Sequence, residues 1–223
     1  METNLSVNTR RYEPRTPAGQ LLVLAHGAGA GQQHPFMTAI ARGLADRGVD
    51  VVTFDFPYMR ERRRAPDRPA VLEAAFRAAI AAARDLAGEE KRLFIGGKSM
   101  GGRIATHLAA DATDTAIRPL LRGVVCLGYP LHPPGKPEQR RTAHLPAIEA
   151  PVLIVQGERD AFGTPSELEP AIATMKTDVT LHVVEGGDHS LNVTRSGRKA
   201  SASGEDRYAR VIGTIVEWMR KAE

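Results

Sequence analysis

An α/β fold with a mostly parallel sheet and helices on both faces is predicted by three features of the 223-residue chain. From about residue 20 to the end, short runs rich in Val, Leu and Ile alternate with Ala-rich stretches of helical spacing, the pattern of right-handed strand–helix–strand units. Several of the runs are continuously apolar, as strands covered on both faces are. Polar, glycine-rich segments follow four of the runs directly, at the end of a parallel sheet where ligands bind.

The strands are expected over residues 21–25 (LLVLA), 49–54 (VDVVTF), 93–95 (LFI), 124–127 (VVCL), 152–155 (VLIV) and 179–184 (VTLHVV). Helices are expected over 35–47, 69–86, 99–110, 166–175 and 206–220. Pro35, Pro69 and Pro165 lie where a first helical turn accepts proline. At roughly 100–200 residues per domain the chain reads as a single domain over 1–223. Residues 1–19 are expected to add an edge strand, within about 5–15, and a flexible N-terminus. Only residues 128–151 separate two strands in the second half, too few for a large cap domain, so an open cleft is expected.

Composition narrows the function. Hydrophobic residues make up 42% and charged residues 25%, ordinary globular values that exclude a disordered, collagenous or coiled-coil chain. No apolar run approaches the ~18 residues of a membrane span, and the first twenty residues lack the apolar core of a secretory signal. The net charge of +4 and 5% aromatic residues are far from those of a nucleic-acid binder. The sole cysteine, Cys126, cannot form an internal disulfide, which agrees with a cytoplasmic protein. It lies inside an apolar run and reads as a small buried hydrophobe.

The chemistry is expected at the four strand ends. His26-Gly27-Ala28-Gly29-Ala30-Gly31 follows the first long strand, Gly96-Gly97-Lys98-Ser99-Met100-Gly101-Gly102 the third, Gln156-Gly157-Glu158-Arg159-Asp160 the fifth, and Glu185-Gly186-Gly187-Asp188-His189-Ser190 the sixth. Gly97 to Gly101 fits G-x-S-x-G between a strand and a helix, a nucleophile elbow whose glycines permit close backbone approach. Serine needs an adjacent base to act as a nucleophile. Asp160 and His189 stand at the next polar strand ends, in the chain order Ser…Asp…His that this elbow requires. His189 would take the Ser99 proton, and Asp160 would hold the other ring nitrogen. Glu158 and Asp188 are the alternative acids. An oxyanion hole would draw on the amide of Met100 and on the loop after the first long strand, through Ala28 with Gly29 as the alternative. His26 is expected to orient that loop.

HGAGAG, FDFPYM (54–59), GGKSMGGR (96–103), GERDAFGTPSE (157–167) and GGDHSL (186–191) resemble the α/β-hydrolase family over about residues 20–219. More narrowly they are similar to a branch of small bacterial members. That branch also includes the hydrolase-like domain of a eukaryotic chromatin-complex subunit and testis-expressed relatives. The resemblance implies an α/β-hydrolase fold with Ser99 as nucleophile, Asp160 as acid and His189 as base. It also implies a cofactor-free serine hydrolase acting on small-molecule carboxylic esters or thioesters, EC 3.1 chemistry ahead of amide or peptide cleavage. Some relatives act as scaffolds, so a non-catalytic binding protein of the same fold is the alternative.

Other motifs fail by position. A P-loop would need glycine at 92, where Arg92 stands, and a dinucleotide fingerprint would need a small residue at 32, where Gln32 stands. No H-E-x-x-H or paired-cysteine motif suggests zinc. His34, His107, His132, His144 and His182 lack a strand-end setting and read as surface or packing residues. The basic run Arg60 to Arg68 reads as a solvated loop before the Pro69 helix, with the sharper expectation that it lies near the mouth of the site and attracts a substrate carboxylate or phosphate. Residues 194–204 read as a mobile loop.

Overall fold

The computed structural model describes residues 7–193 and 208–222. The expected loop over 194–204 therefore lies outside the described residues. Seven strands form one sheet in the order β1-β3-β2-β4-β5-β6-β7: β1 (Thr9–Tyr12), β2 (Gln20–Ala25), β3 (Val49–Phe54), β4 (Arg92–Lys98), β5 (Leu121–Leu127), β6 (Val152–Gly157) and β7 (Val179–Val184). The edge strand β1 runs antiparallel to β3, with Thr9 opposite Phe54, and every other neighbouring pair is parallel.

The period-two alternation of strand side chains sorts the apolar runs onto two faces. Leu21, Val23 and Ala25 join one core with Phe76, Ile104 and Leu168, under helices α3 (Pro69–Ala87), α4 (Met100–Ala110) and α5 (Pro165–Ile172). Leu22 and Leu24 join the other with Ile40, Leu44 and Ile215, under α1 (Pro35–Ala45) and α6 (Ala209–Lys221). A short helix, α2 (Pro57–Arg60), follows β3. In α3 the buried residues Leu72, Ala75, Phe76, Ala79, Ile80 and Ala83 recur at three- and four-residue spacing, so its alanines form the stripe laid on the sheet.

The expected strands are all present, but several are longer: β5 begins at Leu121 rather than 124, and β6 runs to Gly157 rather than 155. β4 runs on through Gly96 and Gly97, where propensity ends it. Gly96 is bare because a Cβ there would collide with the Val125 carbonyl of the neighbouring strand. Strand β1 carries little apolar signal and is tied down by charge instead. Arg11 donates to both carboxylate oxygens of buried Asp50 at 3.0 and 2.7 Å, and Lys91 adds a third contact at 2.6 Å. Residues 128–151, between β5 and β6, hold a single 3-10 turn at Leu145–Ala147.

Candidate active site

The strand ends that carry the polar motifs meet at one edge of the sheet. Ser99 sits between β4 and α4 with φ 51° and ψ −115°, a left-handed conformation that L residues avoid. It occupies the N-cap position, yet its side chain makes no cap hydrogen bond. Instead Ser99 Oγ lies 2.8 Å from His189 Nε2. On the far side of the ring, His189 Nδ1 lies 2.9 and 2.8 Å from the two oxygens of Asp160. The ring stacks on Phe162 at 4.1 Å between centroids. Ser99, Asp160 and His189 are thus joined in one hydrogen-bonded series, and an Nδ1–H directed at the carboxylate leaves Nε2 as an acceptor for the hydroxyl.

Asp160 is 1% exposed. A buried carboxylate needs donors: Gln156 Nε2 reaches one oxygen at 2.9 Å and the Phe162 amide the other at 2.8 Å. Gln156 also accepts from the Tyr129 amide at 2.8 Å and donates to the Gly163 carbonyl at 2.7 Å, locking three loops around the acid. The alternative acids are engaged elsewhere. Glu158 accepts from the Gly186 amide at 2.7 Å, and Asp188 accepts from the amides of Ser190 and Asn192 at 2.8 and 2.9 Å.

The glycine-rich loop after β2 runs beside the serine: a Cβ on Gly27 would stand 3.6 Å from Ser99 Cβ. His26 orients it. This fully buried imidazole meets the Gly27 carbonyl through Nδ1 at 2.7 Å and accepts from the Phe56 amide through Nε2 at 3.1 Å. Burial pushes its pKa down, against the pull of the Gly27 carbonyl and Asp55. The Tyr58 hydroxyl donates to the Ala28 carbonyl at 2.9 Å, and burial raises this phenol to about 12, so the donor stays protonated. The Gly27 and Ala28 carbonyls are thus held, while the Ala28 and Gly29 amides make no hydrogen bond among the described residues. Met100 opens α4, where amides have no intrahelical acceptor.

Lys98, the variable residue before the serine, escaped the sequence reading. Its ammonium donates to the His189 carbonyl and lies 5.8 Å from the centroid of the Phe36 ring. Gly128 (φ 68°) makes room, since a Cβ there would stand 2.8 Å from the His189 carbonyl oxygen and 2.9 Å from Lys98 Nζ. Burial pulls the Lys98 pKa from 10.5 down to about 8, despite the charges of Asp160 and Asp188. Between those pH values the unfolded chain holds a proton that the folded chain has released, so stability rises with pH there. Wild type should therefore gain on Lys98→Met as pH rises from 8 to 10.5, by up to about 3 kcal/mol. Denaturant unfolding across that range measures the gain, and a pH-independent difference between the two proteins would refute it.

A cleft of about 530 Å³ lies elsewhere, between α3 and the segment preceding β5, where Arg77 pairs with Asp111 and Asp114. It lies away from the strand ends that carry Ser99 and His189. The sheet-edge cluster, with a hydroxyl, an imidazole and a carboxylate in series, is the stronger candidate on chemistry.

The architecture matches solved structures over nearly the whole chain. Dienelactone hydrolase from Anabaena variabilis superposes with a TM-score of 0.71 at 19% identity, over 96% of this chain and 91% of that one. Est1E from Butyrivibrio proteoclasticus, solved with ferulic acid bound, gives 0.72 at 15% identity, over 97% and 95%. XC6422 from Xanthomonas campestris, described as an α/β serine hydrolase without a lid, gives 0.71 at 16%, over 96% and 88%. At these identities the likeness establishes the fold. The sequence itself matches the alpha/beta hydrolase domain family over residues 18–220, and the protein therefore belongs to the α/β-hydrolase family.

Proposed function

We propose that the protein is a serine hydrolase that cleaves carboxylic esters or thioesters through an acyl-enzyme. The observation that carries this reading is the unbroken series from Ser99 Oγ through the His189 ring to Asp160 at a strained elbow. His189 Nε2 takes the hydroxyl proton as Oγ attacks the carbonyl carbon. The amides of Met100 and Ala28, with Gly29 beside it, receive the oxyanion. As the tetrahedral intermediate collapses, the imidazolium gives its proton to the departing alkoxide or thiolate. Water then gives a proton to the same nitrogen as its oxygen adds to the acyl carbon, and the second collapse breaks the Ser99 Oγ–carbon bond, returns the proton to Oγ and releases the acid. Asp160 fixes the ring and stabilises its positive charge throughout.

The short segment over 128–151 supports a small or extended substrate, because its one regular element is a 3-10 turn, far short of a lid domain. The unpaired, buried thiol of Cys126 suits a reducing compartment, and the cytoplasm is the proposed setting. The segments GGKSMGGR and GGDHSL support the narrower likeness to the chromatin-subunit branch, in which a scaffold role is the competing reading.

A fluorophosphonate probe with peptide mapping separates the two. The wild type should be labelled at Ser99, and Ser99→Ala should take up no label there. Folded wild type that resists the probe would favour the scaffold. A panel of p-nitrophenyl esters of graded chain length then defines the acyl group.

A further inference from the structure

The backbone of His189 is held by one side chain. The ring itself is bound on both sides, by Asp160 and by Ser99. The turn that carries it gives the backbone no such support. Among the described residues, the only hydrogen bond to either the His189 amide or its carbonyl comes from the Lys98 ammonium. Two residues on, Leu191 takes a left-handed φ of 59°, which a non-glycine residue avoids. A strained turn of this kind keeps its shape only where surrounding contacts impose it.

Lys98 is placed to impose that shape. As the last residue of β4 it stands in register with Leu127, and the amide of the next residue, Ser99, donates to the Leu127 carbonyl at 2.9 Å. The sheet therefore fixes the root of the side chain one residue from the nucleophile. The stem passes the glycine-rich loop after β2, where a Cβ on Gly27 would touch Lys98 Cγ at 3.5 Å. The head lies 5.8 Å from the centroid of the Phe36 ring on α1. Behind it, Gly128 leaves the space that a Cβ would take from both Nζ and the His189 carbonyl oxygen, at 2.9 and 2.8 Å.

Stability does not account for this contact. An ammonium has three donors. Among the described residues Lys98 uses one of them, on a neutral carbonyl, and no carboxylate pairs with it. Arg63, by contrast, is bound in the exposed run at 60–68 by Glu61 and Asp67, each at 2.7 Å. Drawing a cation out of water for a single neutral acceptor costs more than it returns, and a methionine would fill the stem volume without that cost. What the ammonium supplies is a cross-link between the residue before Ser99 and the backbone of His189, 91 positions away. We propose that Lys98 is a positioning residue for the hydrolysis: its ammonium ties the His189 carbonyl to the end of β4 and so sets the reach of the imidazole to Ser99 Oγ. The assignment deepens the hydrolase reading and rests on it.

Three variants of the 223-residue chain test the tie. Lys98→Met keeps the stem and removes the ammonium, Gly128→Ala drives a Cβ into the same contact, and the third carries both changes. With p-nitrophenyl acetate, Lys98→Met should lower kcat about 10²-fold, the penalty for a reacting group misplaced by about 1 Å. KM should stay within about twofold of wild type, because His189 serves both half-reactions and slows them alike. Gly128→Ala should show the same division between kcat and KM. The double variant should lose about 10²-fold rather than the product of about 10⁴, because both changes act through one contact. The second readout needs no turnover: the downfield proton NMR signal of His189 Nδ1–H, assigned by its loss in Asp160→Asn, should broaden or vanish in Lys98→Met. Should one single variant fail to fold by circular dichroism, the other decides on its kinetics and its NMR signal. A kcat within about threefold of wild type, a raised KM at unchanged kcat, multiplying losses in the double variant, or an unaltered proton signal would each overturn the assignment. A wild type that shows the signal, loses it in Lys98→Met and hydrolyses no ester would leave the tie standing and remove the hydrolase reading.

Discussion

Asp160→Asn should lower kcat by about 10⁴-fold while the protein stays folded. The substitution is isosteric, so what changes is the hydrogen-bond code. Both Asp160 oxygens now accept, from His189 Nδ1, from Gln156 Nε2 and from the Phe162 amide. An asparagine must turn an NH₂ toward one of these donors. Directed at the ring, it demands a bare Nδ1 and moves the proton to Nε2, which then cannot accept from Ser99. Directed at Gln156 or Phe162, it leaves buried donors in conflict, at about 1–3 kcal/mol. Steady-state hydrolysis of p-nitrophenyl acetate, with a thermal melt to show that folding persists, measures both effects. A rate within tenfold of wild type would remove the Ser-His-Asp reading altogether. Glu158 and Asp188 could not then take over without abandoning the backbone amides that hold them.

The residues of this series were legible in the sequence because each lies in a short motif that directly follows an apolar strand, and topology brings strand ends together. The supporting residues were not legible, for a common physical reason. Lys98 meets His189 across 91 positions, Tyr58 meets Ala28 across 30 and Gln156 meets Tyr129 across 27. None of these contacts leaves a local signature. Gln156 ends an apolar run and reads as a strand terminus, but only the fold shows its amide under three loops. Strand limits failed where packing overrode propensity, as at Gly96, whose missing side chain is what lets β4 lie against β5. Strand β1 was visible only as a vague extended segment, since TRRY pairs at the sheet edge and gains its anchor from the Arg11–Asp50 ion pair.

The same conflict between propensity and packing makes two glycines respond in opposite directions to one substitution. Helix propensity alone says that alanine should stabilise either Gly101 in α4 or Gly213 in α6, by about 1 kcal/mol. At Gly213 nothing lies within 4 Å of an added Cβ, so Gly213→Ala should raise the unfolding free energy by about 0.5–1 kcal/mol. At Gly101 the Cβ would stand 2.5 Å from the Ala25 carbonyl oxygen and 2.6 Å from that of His26. Both are backbone atoms at the end of β2 and cannot rotate aside. The start of α4 must then back away by nearly 1 Å to restore an ordinary C···O contact of about 3.3 Å, and Ser99 and the Met100 amide move with it. Gly101→Ala should therefore cost about 3 kcal/mol of stability, the upper range for overpacking. It should also lower kcat about 10²-fold, the penalty for a reacting group displaced by about 1 Å. Gly97 faces the same wall, with the Ala25 carbonyl oxygen and the Gly101 carbonyl carbon each 2.6 Å from its added Cβ. Denaturant unfolding and ester hydrolysis of the two alanine variants side by side decide the matter. If Gly101→Ala were as stable and as active as Gly213→Ala, close backbone packing would not be the reason that the elbow requires glycine.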